Sequence, residues 1–206
     1  MKKSYNPSVI GKFSFVMKKL FLLPILLLSL ISCSSETETE AEINSDKLVQ
    51  REGLAYEKLS DTPFTGKVSG KKQGKMKNGV EEGEWLWYYD NGQLRRKENY
   101  KNGMLDGDWV VYLENGQLHK KGGYKNEKKD GEWVEYRNDG LLRYKGSYKN
   151  GNEEGWWVHY YENGKLLAKG RYKNGKMEGE WASHHSDGTF NNKWTGTFKN
   201  GKKVSD

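Results

Sequence analysis

The segment GDWVVYLENGQLHKKGGYKNEKKD, residues 107–130, decides the fold. Gly107 opens it, with Trp109 two positions on and Tyr112 five positions on. Asn115-Gly116 ends the first run. Leu118 starts the second, which carries Gly122 and closes on Tyr124-Lys125-Asn126. An Asn-Gly pair between alternating runs predicts a two-residue type I′ hairpin, because both central residues need φ > 0. With Asn115-Gly116 as the turn, residues whose numbers sum to 231 face each other, and Trp109 lies opposite Gly122. An indole over a strand glycine shields backbone that would otherwise be bare.

The same pattern recurs outward from this segment. Gly83, Gly107, Gly131, Gly155 and Gly179 are each 24 residues apart, and Trp85, Trp109, Trp133, Trp157 and Trp181 follow them. Tyr88, Tyr112, Tyr136 and Tyr160 come next, with His184 in the fifth unit. Turns follow at Asn91-Gly92, Asn115-Gly116, Asp139-Gly140, Asn163-Gly164 and Asp187-Gly188. Leu94, Leu118, Leu142 and Leu166 come after them, and Phe190 stands in the fifth. A second turn, Tyr-Lys-Asn-Gly, falls at 100–103, 148–151 and 172–175. Glu127 replaces its glycine in the second unit, and in the fifth the motif arrives two residues late. Pro63-Phe64-Thr65-Gly66 and Lys77-Asn78-Gly79 look like a degenerate first unit. A fixed period of this kind means a stacked array. The expected fold is all-β: an elongated, single-layer antiparallel sheet of tandem 24-residue β-hairpins.

Strand alternation sorts the side chains onto two faces. The five repeat Trp, Leu118, Tyr124, Leu105 and Met177 share one with Gly122, Gly146 and Gly170. The sum rule sets Trp133 opposite Gly146 and Trp157 opposite Gly170, while Glu98 faces Trp85, so this is the expected structural face. The other face carries Lys97, Lys121, Lys145 and Lys169 opposite Leu86, Val110, Val134 and Val158. Beside them come Tyr88, Tyr112, Tyr136 and Tyr160, set opposite Arg95, His119, Arg143 and Leu167. With strands ~4.8 Å apart the lysines stand ~10 Å from one another. They either keep the sheet soluble, with stems covering valine, or form an anion-binding strip with stacking from tyrosine.

Composition agrees with many short strands: of 206 residues 25 are Gly, 13 Tyr and 8 Trp. The net charge of +7 is a diffuse excess, too thin to expect nucleic acid as partner. His184-His185 and Asp187 lack a second ligand group at metal spacing. Glu81-Glu82 and Glu153-Glu154 read as turn charges rather than an acid–base pair. The expectation is no enzyme, no catalytic residue, no metal and no cofactor.

The N-terminus reads as an address. Lys18-Lys19 precede an apolar run from Leu20 to Ile31, about a dozen residues long and too short to span a membrane. It ends in Leu30-Ile31-Ser32-Cys33, which resembles the bacterial lipobox. That resemblance implies a lipidated Cys33 as the mature N-terminus. Cys33 is the chain's one cysteine, so no internal disulfide is possible. Met17 is a candidate alternative start. Ser34 to Ser45 is acidic and poor in apolar residues, and is expected to be a tether. The expected boundaries are signal peptide 1–32, lipidated tether 33–46, cap and degenerate repeat 47–82, five repeats 83–203 and tail 204–206.

Gly-x-Trp-x-x-Tyr, then Asn-Gly-x-Leu, then Gly-x-Tyr-Lys-Asn-Gly resembles the MORN repeat in its bacterial variant form. Gly53-Leu54-Ala55-Tyr56 and Pro-Phe-Thr-Gly resemble the start of YwqK-type antitoxins. The resemblance implies a β-array used for binding or scaffolding. With the anchor, the expected protein is a non-catalytic lipoprotein of the cell envelope, at the outer membrane, facing the periplasm or the surface. Its partner is an unknown protein, an anionic glycan or a lipid. An antitoxin or immunity protein is the alternative, and a glycan-active enzyme a remote one. Open strand edges at the ends of the array allow end-to-end self-association.

Overall fold

The computed structural model describes residues 40–206. The signal peptide, Cys33 and the tether up to Thr39 lie outside the described residues. The strands are β1 Glu42–Asn44, β2 Leu48–Arg51, β3 Leu54–Glu57, β4 Gly66–Ser69, β5 Lys72–Lys77, β6 Val80–Tyr88, β7 Leu94–Lys101 and β8 Met104–Tyr112. They continue as β9 Leu118–Lys125, β10 Lys128–Tyr136, β11 Leu142–Lys149, β12 Asn152–Tyr160, β13 Leu166–Lys173, β14 Lys176–Ser183, β15 Gly196–Lys199 and β16 Lys202–Ser205. One 14-stranded sheet runs β1-β4-β5 and then in chain order to β16. Among the described residues only the β1–β4 pair is parallel. The β2–β3 hairpin stands apart and docks through Ala55 N–H, which donates to Gly79 O at 2.8 Å. Ile43, Ala55, Val68, Met76 and Trp85 form a small core beneath it. The folded chain therefore starts before residue 47. Ile43 is buried in β1, and Glu40 pairs with Lys67 and Lys75, which corrects the reading of 42–46 as tether.

Two kinds of turn build the array. At Asn102-Gly103 both residues have positive φ, 50° and 76°, and Lys101 pairs directly with Met104: a two-residue type I′ turn. Asn115-Gly116 differs, which corrects the expectation from sequence. Leu113 N–H donates to Gln117 O and Gly116 N–H donates to Leu113 O, both at 2.8 Å, closing a three-residue loop. Only Gly116 has positive φ there, +83°. The Asn115 side chain instead accepts from the Gln117 N–H at 3.0 Å, and Asn91, Asp139, Asn163 and Asp187 repeat the contact. Side-chain capping of this kind is why Asn and Asp occupy the position.

The longer loop shifts the pairing by one, and a bulge shifts it back. Tyr112 pairs with Leu118, but Val111 pairs with Lys120, leaving His119 extra. Arg95, Arg143 and Leu167 are extra in the same way. Beyond the bulge the sum rule holds, with Trp109 opposite Gly122, Trp133 opposite Gly146 and Trp157 opposite Gly170. The tyrosines therefore face Leu94, Leu118, Leu142 and Leu166, not Arg95, His119, Arg143 and Leu167. Leu118 accordingly sides with Tyr112 and leaves the Trp face.

A wider bulge occurs between hairpins. Asp130 pairs with Gly123 and Val134 with Lys121, so Gly131, Glu132 and Trp133 together face Gly122. The Trp133 indole folds back onto Gly122, and a Cβ added there would lie 2.2 Å from its ring. Trp85 covers Gly74, Trp157 covers Gly146 and Trp181 covers Gly170 likewise. Each indole thus closes over the glycine of the preceding hairpin rather than the one across its own turn. The indole N–H groups of Trp133, Trp157 and Trp181 donate to Gly123, Ser147 and Arg171 carbonyls at 3.0–3.1 Å. Tyr124, Tyr148 and Tyr172 stand edge-on between them. Trp109 is the exception. Glu98 occupies the glycine position, so the indole is only half-buried and donates to Glu98 Oε1 at 2.9 Å.

Candidate functional site

The opposite face is arranged by the same register. A single row crosses the sheet, Leu86-Lys97-Val110-Lys121-Val134-Lys145-Val158-Lys169-Ala182, each residue paired with the next on the neighbouring strand. Lysine and an apolar residue alternate, so each ammonium stands over a hydrophobic floor its own stem helps to cover. Next to this row runs a second column at the wide bulges: Glu84, Asp108, Glu132, Trp156 and Glu180. It was not anticipated from sequence, because the bulge sets it diagonal to the lysines. Lys97 forms a close ion pair with Glu84, whose hydrogen bond raises the lysine's pKa. Lys145 lies 3.6 Å from Glu132. Lys121 and Lys169 are exposed and in no ion pair within 4.0 Å among the described residues.

The structure brings three of the expected residues into one hollow. Lys121, Lys145 and Tyr136 line a concavity of about 330 Å³ with Val134, Asp108 and Glu132. Tyr160 instead borders a hollow with Arg137, Glu162 and Leu167 at the loop edge. Tyr88 and Tyr112 are half-buried and pair with Leu94 and Leu118. The backbone around these tyrosines ties hairpins together. Tyr89 Oη donates to Tyr112 O at 2.9 Å, Arg137 to Tyr160 O at 3.0 Å, and Tyr161 Oη to His184 O at 2.8 Å.

The carboxylates expected in turns, Glu81-Glu82 and Glu153-Glu154, lie instead within strands β6 and β12, and their column has a structural task. Glu82, Asp106, Asp130, Glu154 and Glu178 each accept the backbone N–H of the asparagine in the following type I′ turn, at 2.8–3.2 Å. A carboxylate accepting an otherwise orphaned N–H is a charge-assisted bond. The sequence placed Glu82 and Glu154 in turns but gave no sign of this partner twenty positions away.

On the indole face two acids are buried. Glu135 is 4% exposed and is held by Lys120 at 3.1 Å and Arg143 at 2.5 Å. Burial opposes its ionisation, but the hydrogen bonds and charges of Arg143 and Lys120 prevail and lower its pKa. Glu98 is held by Arg96, Tyr100 and Trp109. Glu98 breaks a column of glycines, which was an available sequence signal, whereas Glu135 shares its column with Trp87, Val111, His159 and Ser183, which hold no common residue. His159 stacks on Trp157, with ring centroids 5.6 Å apart, and burial lowers its pKa. His184 packs against Phe190.

Four segments match the family model described as "MORN repeat variant": residues 81–102, 105–126, 129–150 and 153–174. They correspond to the hairpins β6–β7, β8–β9, β10–β11 and β12–β13. The fifth hairpin keeps the register, pairing Trp181 with Gly196, and takes up two additional residues in the loop before β15. No curated protein matches the chain. Among solved structures, "Crystal structure of GtfA/B complex bound to UDP and GlcNAc" aligns at 14% identity and a TM-score of 0.22. The alignment covers 71% of this chain and 28% of that one. Between residues 81 and 174 the protein is therefore similar, in four tandem segments, to the MORN repeat variant.

Proposed function

We propose that the protein is a non-catalytic binding or scaffolding module, held at the cell envelope by a lipidated Cys33, whose lysine-bearing face meets an acidic partner. The supporting observation is the division of labour between the two faces. The indole face is filled by interlocked Trp and Tyr, and the strand carboxylates Glu82, Asp106, Asp130, Glu154 and Glu178 are committed to capping the turns. The other face presents a row of lysines alternating with apolar residues, of which Lys121 and Lys169 are in no ion pair among the described residues, with a hollow at Lys121, Tyr136 and Lys145 that Asp108 and Glu132 also line. Rows of one charge attract opposite charge and lose strength as salt shortens the Debye length from ~10 Å at 0.1 M to ~3 Å at 1 M. The double variant Lys121→Gln/Lys145→Gln should therefore bind envelope extract more weakly, with a flatter salt dependence and an unchanged melting temperature. Identical binding at every salt concentration would reduce the row to a solvated surface. The anchor is tested separately: a clickable fatty acid should label the wild type in cells but not Cys33→Ala. Equal labelling would remove the envelope from the proposal. Two or more acyl chains are needed for firm anchoring, at about 0.8 kcal/mol per buried methylene.

A further inference from the structure

A repeat makes every column regular, so a departure from it is more informative than the column. The sharpest departure is in the β12–β13 hairpin. Where the other four hairpins place Glu84, Asp108, Glu132 and Glu180, this one places Trp156. Its indole is 63% exposed, against 2–3% for the neighbouring clasp residues Trp133 and Trp157. Directly across the ladder stands Arg171, where the other hairpins have Asn99, Gly123, Ser147 and Thr197. Its guanidinium lies 5.7 Å from the Trp156 ring centroid. One acid is lost and one cation gained at a single site.

The change also alters Lys169. Lys97 and Lys145 each have the acid of their own hairpin as ion partner, and in the β12–β13 hairpin Trp156 stands in that place. Lys169 lines both hollows that flank Trp156. One, of about 370 Å³, is bounded by Gly146, Ser147, Lys145 and Val158, and its one acid, Glu132, is engaged by Lys145. The other, of about 390 Å³, is bounded by Ala182, Thr195, Thr197, Glu180 and Asp206; Asp206 is engaged by Lys203 but Glu180 is in no ion pair among the described residues, so the first hollow is the one that suits an anion. Both volumes are of the size that takes a small ligand.

The geometry points to a saccharide-binding subsite at Trp156, Lys169 and Arg171 that takes a sugar ring bearing a carboxylate, as in an acidic polysaccharide. This inference rests on the proposed binding face and narrows it to one hairpin. The exposed indole offers a flat apolar surface for the C–H side of a sugar ring, with the small residues Gly146 and Ser147 leaving room beside it. The Lys169 ammonium and the Arg171 guanidinium lie where a carboxylate on that ring is compensated, and guanidinium matches carboxylate in a two-point fork. An acidic protein segment would use the cations but not the flat indole, and so fits less of the site.

The probe is oligogalacturonate, titrated by calorimetry against the full-length chain, with its methyl ester as the uncharged control. Trp156→Glu, which restores the residue type of the other hairpins, and Lys169→Gln should each weaken binding about tenfold, the loss expected for one stacking or charge contact. Their urea midpoints should match the wild type, since both side chains are exposed. Unaltered binding by Trp156→Glu, equal binding of the methyl ester, or no binding by the wild type would each overturn the subsite. So would attachment to phosphatidylglycerol vesicles without oligogalacturonate binding, which assigns the cations to lipid. If Lys121→Gln/Lys145→Gln loses envelope binding while Trp156→Glu binds as wild type, the subsite falls and the broader face stands. The reverse pattern keeps the subsite and removes the broader face.

Discussion

The most consequential single contact is an indole lying on a glycine. A Cβ on Gly122 would sit 2.2 Å from the Trp133 ring, so glycine here is required by a neighbour and not by its own backbone angle. Trp133 is 2% exposed and its N–H is satisfied by Gly123 O. Trp109 has lost its glycine to Glu98 and is half-buried. The two tryptophans occupy equivalent repeat positions yet should respond differently to truncation. Trp133→Ala should cost on the order of 3–5 kcal/mol, as for other buried large aromatics, and Trp109→Ala clearly less. Urea unfolding of both variants checks this. Equal losses would mean that the covered glycine contributes nothing.

At the scale of the hairpin, turn chemistry decides what is tolerated. After the second hairpin the type I′ turn joining β9 to β10 is Asn126-Glu127, and Glu127 takes φ = 62° without being glycine. A residue with a Cβ in that region costs roughly 1–2 kcal/mol. Glu127→Gly should therefore raise stability by about 1 kcal/mol, less the entropy glycine adds to the unfolded chain. A melting temperature unchanged or lowered would show that the turn is unstrained. The same turns explain what the sequence disclosed. Trp109 opposite Gly122 was legible because two deviations of opposite sign cancel, a loop one residue longer than assumed and the bulge at His119. The partners of Tyr88, Tyr112, Tyr136 and Tyr160 lie between those deviations and so were misassigned. The column Glu84, Asp108, Glu132, Trp156 and Glu180 was hidden because the bulge at each repeat glycine displaces it by two residues against the preceding hairpin. The Lys row lies clear of both irregularities, and the sequence located it.

Across the whole molecule each hairpin touches its sequence neighbours, so stability is close to a sum of local terms. Acid sensitivity follows from two sites on the indole face. Burial lowers the pKa of His159 below 6.5, so the unfolded chain binds that proton first. Stability from this group is full above 6.5 and declines as pH falls from 6.5 to the lower folded value. Glu135 has its pKa lowered from 4.5 by Arg143 and Lys120 against the opposing effect of burial, so its contribution persists at higher pH and is lost below 4.5. Thermal melts across pH should thus show two successive acid losses, and His159→Gln should abolish the upper one. A single loss near pH 4 in both proteins would show that His159 titrates alike folded and unfolded.

The indole clasp also gives the array a direction in time. Gly122 is closed by Trp133, eleven positions later in the chain, and Gly74, Gly146 and Gly170 wait equally long for Trp85, Trp157 and Trp181. A nascent hairpin carrying Gly122, Gly146 or Gly170 is therefore unfinished as it leaves the ribosome until the first strand of its successor has emerged, and its growing tip carries an open trough. The trough at Gly196 meets no indole: the backbone of Ser205 and the side chain of Lys203 fill it. Ser205 and Lys203 thus do at Gly196 what the following hairpin's indole does at the other troughs, and without them that glycine would be left uncovered.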